Sequence, residues 1–153
     1  MIDLYKPLKS DLWFKKLILS DKETMSFNHA YGLTICFSED KWDAWYYKWI
    51  ENCENKRFYR YIKTSGEFVG EAAYHYDDEV NGYLLDVIIH SKYRNKGYGT
   101  LAIDKLCEVA LENGIEEVYD KIAIDNPSIK LFIKCGFEEV YRTNEYILVK
   151  KSL

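Results

Sequence analysis

Leu84-Leu85-Asp86-Val87-Ile88-Ile89-His90-Ser91-Lys92-Tyr93-Arg94-Asn95-Lys96-Gly97-Tyr98-Gly99-Thr100-Leu101-Ala102-Ile103 is the stretch that decides how this 153-residue chain folds. It opens with an apolar run rich in branched side chains, the pattern of a buried strand. Leu101, Ala102, Ile103, Leu106, Cys107, Val109 and Ala110 then recur at helical spacing, so a helix starts close behind. The turn between them carries Arg94, Lys96, Gly97 and Gly99. With no Cβ at the glycines, backbone N–H groups at the helix start can come close to a ligand. The flanking cations make that ligand an anion, most naturally a pyrophosphate.

Two readings of the turn compete. Gly97-Tyr98-Gly99-Thr100-Leu101-Ala102 fits G-x-G-x-x-A, a dinucleotide fingerprint, with Asp120 or Asp125 at about the right distance for a ribose contact. That fingerprint normally opens its domain. Here it follows several predicted strands and leaves too little chain for the remaining βαβ units. No G-x-x-x-x-G-K-[ST] occurs, so a P-loop nucleotidase is not supported.

The second reading joins two motifs. Arg94-x-x-Gly97-x-Gly99 behind the strand Leu84–Ile89 resembles motif A of the GNAT superfamily of acetyl-coenzyme-A-dependent N-acetyltransferases. Ile122-Ala123-Ile124-Asp125-Asn126-Pro127-Ser128-Ile129-Lys130-Leu131-Phe132-Ile133-Lys134-Cys135-Gly136-Phe137 is similar to its motif B: a strand, Asn, a short helix and a closing Gly-Phe. The resemblance covers residues 55 to 150 well and the amino-terminal third weakly. It implies an α/β fold with a central mixed, mostly antiparallel sheet and helices on both faces. It further implies that the strands ending at Ile89 and Ile124 splay apart, so that a pantetheine arm enters the gap beside Val87, Ile88 and Ile89.

Around this unit the chain reads as a single domain over residues 1–153. Ile2–Lys6 suggests a first strand and Leu8–Ile18 a helix. Leu33–Phe37 is a short strand or extended segment, and Met25–Gly32 a candidate lid or substrate wall. A helix starts at Ser38, with Trp42, Trp45, Tyr46 and Trp49 at helical spacing. These rings pack on the sheet, though Trp42, Tyr46 or Tyr47 could also hold an amine. Arg57–Thr64, Glu67–Tyr76 and the strand before the turn form a meander. Glu117–Ile124 is a further strand, and Phe137–Arg142 with Glu145–Lys150 a final hairpin.

A net charge of −4 argues against a general nucleic-acid binder and suits a cationic substrate. No apolar run reaches the ~18 residues of a membrane span and no signal peptide is evident, so a cytoplasmic protein is expected. Cys36, Cys53, Cys107 and Cys135 are too scattered to indicate zinc or a disulfide framework.

The resemblance assigns roles residue by residue. Backbone N–H groups across Asn95, Lys96, Gly97, Tyr98, Gly99 and Thr100 would bind the pyrophosphate of acetyl-coenzyme A, with Arg94 and Lys96 neutralising charge. The N–H of Ile89 would face the oxyanion. Asn126 would touch the pantetheine arm while also capping its helix. Phe132 stands where many family members carry a tyrosine that protonates the leaving thiolate. The donor is then Tyr141 or water, or the thiolate leaves unassisted, which a thiol pKa near ~8.5 tolerates. Candidates for the base that deprotonates the amine are Asp86, Glu71, Tyr83 and His29. The expected activity is direct acetyl transfer to a primary amine of a small molecule or peptide, with no metal and no acyl-enzyme. A homodimer is the family analogy, and a catalytically inactive acyl-coenzyme-A-binding module is the alternative.

Overall fold

The computed structural model describes residues 1–153. Seven strands, β1 (Asp3–Tyr5), β2 (Arg57–Thr64), β3 (Glu67–Asp77), β4 (Gly82–Ile89), β5 (Glu117–Ala123), β6 (Glu138–Arg142) and β7 (Tyr146–Ser152), form one sheet. Their order across it is β1-β2-β3-β4-β5-β7-β6. Every neighbouring pair is antiparallel except β4 with β5. The helices are α1 (Leu12–Ser20), α2 (Trp42–Tyr46), α3 (Tyr98–Glu112) and α4 (Ser128–Lys134). None is long and apolar enough to cross a membrane.

Strand alternation sorts the apolar residues onto two faces. Ile62, Ala72, Tyr74 and Leu85 turn toward α3 and α4, where they pack with Ala102, Ile103, Leu106 and Phe132. Tyr59, Tyr61, Ala73 and Ile88 turn the other way, against Phe14 and Ile18 of α1 and the aromatic rings of the α2 segment. The expected mixed sheet with helices on both faces is therefore the architecture found.

Local departures have local causes. The first helix begins as a tight 3₁₀ turn at Lys9–Asp11 and becomes α-helical only at Leu12. Asp11 holds that start, accepting from the Leu8 N–H (2.8 Å) and the Tyr5 hydroxyl (2.8 Å). Leu33–Phe37 does not join the sheet: Leu33 takes left-handed backbone (φ +73°) and bends the chain there. The Ile35 N–H instead goes to the carbonyl of Leu19 at the end of α1 (2.9 Å).

The feature that shapes the rest is the junction of β4 and β5. These strands pair only at Tyr83 with Val118 and Leu84 with Tyr119. Beyond that point β4 runs on to Ile89, held by β3 alone, and β5 runs on to Ala123, held by β7 alone. A wedge opens between them.

β3 grips β4 closely at Gly70, where a Cβ would lie 2.2 Å from the Ile88 carbonyl oxygen. Gly70→Ala must push the two strands apart or shift their register. A loss of about 1–3 kcal/mol in unfolding free energy is expected, measured by urea titration.

Candidate active site

The wedge between β4 and β5 is the head of a cavity of about 500 Å³. Asp86, Val87, Ile88 and Ile89 form one wall and Asp120 to Ala123 the other. Beyond Leu84 the edge of β4 that faces β5 has no strand partner. An extended, amide-bearing ligand can hydrogen-bond to such an edge as an added strand would.

At the mouth lies the turn that leads into α3. Asn95 (φ +62°) and Gly97 (φ +85°) both take left-handed backbone, which bends the chain sharply before the helix. No backbone acceptor in the chain takes the N–H groups of residues 95 to 100. The first bond of the helix runs from Leu101 N–H to the Gly97 carbonyl (3.3 Å). Unpaired N–H groups at the positive end of a 15-residue helix make an anion cradle. Arg94, Asn95, Gly97, Tyr98, Gly99 and Thr100 all line the cavity. Lys96 is exposed and does not.

A clamp that sequence reasoning missed fixes the turn from the side. Arg94 Nη2 donates to the Thr24 carbonyl (2.9 Å), and the Ser91 N–H donates to Thr24 Oγ1 (2.9 Å). Asp21 Oδ2 accepts from the hydroxyls of Thr24 and Ser91. These bonds, Thr24's first, hold the Asp21 carboxyl below its ordinary range. The Asp-x-x-Thr spacing of Asp21 and Thr24 is a capping signal, but its partner Ser91 is distant in sequence. The same segment continues into Met25, Phe27 and Asn28, three residues of the Met25–Gly32 stretch that line the cavity.

Two carboxylates stand where the wedge opens. Asp86 faces the cavity's solvent, yet protein encloses it on its other sides. That enclosure, followed by the charge of Glu71, pushes its pKa up to about 6, while Lys15 opposes the rise. Asp120 is pushed well above the usual carboxylate range, first by burial and then by the charge of Asp86, against a hydrogen bond from the Lys121 backbone. From sequence Asp120 suggests only a ribose contact. The signal for it was the same as for Asp86, an acid interrupting an apolar strand.

Motif B also reaches the site. Asn126 Oδ1 accepts from the Ser128 N–H (2.9 Å), capping α4, and the residue lines the cavity. Phe132 lines it too, buried and edge-on to Phe137.

Five expectations need correction. Glu71 does not enter the cavity; it lies beneath α1, where Lys15 Nζ contacts both its oxygens (2.9 and 3.3 Å) and the Tyr59 hydroxyl donates to it. At 2% exposure and already paired, it has no path to an incoming amine. Tyr141 sits on the outer strand β6, exposed and 3.2 Å from the Tyr146 hydroxyl, outside the cavity. His29 pairs with Asp125 (3.0 Å) on the surface, and the Tyr83 hydroxyl turns to the Asn55 carbonyl (3.3 Å). The aromatic stripe does hold a cation, but one from the chain itself. Lys15 Nζ lies 5.0 Å from the Trp45 ring, 4.8 Å from Tyr59 and 5.8 Å from Phe37. Trp42 and Tyr46 spend their polar atoms on the carbonyls of Phe37 and Pro7.

Comparison with known proteins agrees with this geometry. Residues 22–137 match the family model described as the acetyltransferase (GNAT) family. An uncharacterized N-acetyltransferase of Methanocaldococcus jannaschii is 24% identical over 110 residues, covering 67% of this chain and 48% of the other. GCN5-related N-acetyltransferase 7, chloroplastic, of Arabidopsis thaliana is 36% identical over 63 residues, covering 40% of this chain and 23% of the other. The chain thus spans about half the length of these curated relatives or less. The fold is similar to that of spermidine N-acetyltransferase from Vibrio cholerae, solved in complex with CoA and spermine. The TM-score is 0.83 at 16% identity, covering 99% of this chain and 95% of that one.

The buried pair under the sheet makes a stability prediction. Lys15→Met strands the Glu71 charge and should cost about 3–5 kcal/mol in urea unfolding. Lys15→Met combined with Glu71→Leu should recover most of that loss.

Proposed function

The chain belongs to the acetyltransferase (GNAT) family, and on that premise we propose that it moves the acetyl group of acetyl-coenzyme A directly to a primary amine in one ternary complex. The 153 residues act as a single domain in this reading. The observation that carries it is the row of N–H groups from Asn95 to Thr100, unclaimed within the chain, at the mouth of a wedge with an unpaired strand edge.

The residues present fit that cosubstrate. The N–H cradle and Arg94 suit a diphosphate. The free edge of β4 suits the amides of a pantetheine arm, and the apolar walls at Val87, Ile89 and Phe132 suit its methylene groups. A backbone N–H of that edge, Ile89 by our assignment, meets the developing oxyanion. Bringing thioester and amine together in a fixed approach supplies much of the acceleration such a transfer needs.

An alkylamine arrives as an ammonium ion and must lose a proton before it can attack. Asp86 is the base we assign, because it lines the cavity and its raised pKa puts a carboxylate near neutrality. The Asp86 carboxylate in the cavity wall and the net charge of −4 favour an acceptor that carries positive charge. The V. cholerae neighbour was crystallised with spermine, an amine of that class, and this adds support at the level of chemistry.

The direct test incubates the protein with acetyl-coenzyme A and a panel of primary amines, following thiol release. Release that depends on an amine supports the transferase; coenzyme binding without release on any amine refutes it. Gly97→Val forces a branched side chain into left-handed backbone and should weaken coenzyme affinity about tenfold or more, as measured by calorimetry. Below its pKa of about 6 Asp86 is protonated and cannot accept a proton. The rate should therefore fall about tenfold per pH unit on the acid side, and that limb should vanish in Asp86→Asn.

A further inference from the structure

Phe132 brings to the coenzyme side of the cavity a ring with no transferable proton, and Tyr141 lies outside it. On the acetyltransferase reading, the departing thiolate then needs another donor. The two carboxylates at the wedge differ in the side of the sheet they serve. Because Leu84 pairs with Tyr119, the next residues, Leu85 and Asp120, point to one face, and Asp86 points to the other. Val118 and Ile122, in phase with Asp120, pack in the α3 and α4 core with Phe132. Ile88, in phase with Asp86, packs beneath α1 and α2. One acid thus stands on the side of the coenzyme cradle and the other on the opposite side, with the opening between them.

The geometry points to Asp120 as the general acid that protonates the leaving thiolate, acting across the wedge from Asp86 as base. Asp86 takes one proton from the ammonium. The freed nitrogen lone pair forms the C–N bond to the acetyl carbon while the C–S bond breaks. The sulfur electron pair takes the proton of the Asp120 carboxyl. The second nitrogen proton passes to the Asp120 carboxylate, and Asp86 returns its proton to solvent. One acetyl group has moved and one proton is released.

The surroundings supply the protonation states this sequence needs. Asp120 is faced by Asp86 from β4 and by the Lys121 backbone N–H. From α3 and α4 only uncharged residues, among them Thr100, Ile103 and Phe132, reach the cavity. The Lys121 ammonium is held by Glu79 (3.4 Å). Asp86 is faced by Glu71 of β3, by Lys15 of α1 and by Tyr59 of β2. Burial and the Asp86 charge both favour the protonated form of Asp120. When Asp86 takes a proton from the amine its charge is lost, so Asp120 becomes a stronger acid at the stage where its proton is required.

Asp120→Asn and Asp120→Glu test the assignment beside the wild-type enzyme, with thermal unfolding and coenzyme calorimetry confirming fold and binding. The expected result is a fall in kcat of about 10²-fold or more in Asp120→Asn at unchanged coenzyme affinity. Its kcat profile should also lose the basic limb, and Asp120→Glu should restore both in part. Independently of turnover, infrared difference spectra at neutral pH should contain a protonated carboxyl band that Asp120→Asn removes. Wild-type turnover together with an Asn variant that keeps its rate and basic limb, or no carboxyl band in the wild type, overturns the acid role alone. A wild type that binds coenzyme but transfers to no amine overturns the acetyltransferase reading and the acid role with it.

Discussion

Everything at the site depends on two parallel strands parting after two residue pairs. Had β4 and β5 stayed hydrogen-bonded to their ends, the edge of β4 would be satisfied and the sheet closed. Parting them leaves backbone donors and acceptors bare, which in a closed interior would be costly. The structure meets this by leaving the wedge open to the cavity and bracing each strand on its far side, β4 by β3 and β5 by β7. Close contact at Gly70 on one flank, and at Gly82 against the Tyr119 ring at the apex, fixes where the opening begins.

Beneath that opening lies a second constraint, the Lys15–Glu71 pair in its aromatic box. A buried pair is poor as a source of net stability, since desolvating both ions offsets much of their attraction. What it does here is set the field at Asp86 from behind. Glu71 raises that pKa and Lys15 lowers it, so the residue facing the cavity is balanced by two groups that never enter it. Tyr59 ties the pair to β2 and Tyr61 ties α1 to the same strand, which keeps the distances short.

Much of this was legible in the residues. The apolar run before a glycine-bearing basic turn, and the Asn-Pro start with its Gly-Phe close, located both halves of the cavity, and the meander strands were bounded almost to the residue. What stayed hidden was long-range pairing. Glu71 looked like a cleft residue because nothing in its neighbourhood announces Lys15, 56 positions earlier. The aromatic stripe offered Trp42, Tyr46 or Tyr47 to a foreign amine, because helical spacing cannot say which cation an aromatic face meets. Tyr141 failed because strand order put β7 between it and β5. Asp120 offered only a ribose contact because its partner across the wedge lies on a strand whose register is a tertiary fact.

The clamp from Asp21 and Thr24 to Ser91 and Arg94 couples two regions with different tasks. Thr24 leads directly into Met25, Phe27 and Asn28 on the cavity wall, while Arg94 stands in the turn at the cavity mouth. Neither can shift without loading the other. On the proposed acetyltransferase reading, a displacement of the turn by the coenzyme would be felt as a change of pocket shape by the acceptor. Thermodynamic reciprocity would then have the acceptor alter the affinity of the coenzyme by the same factor.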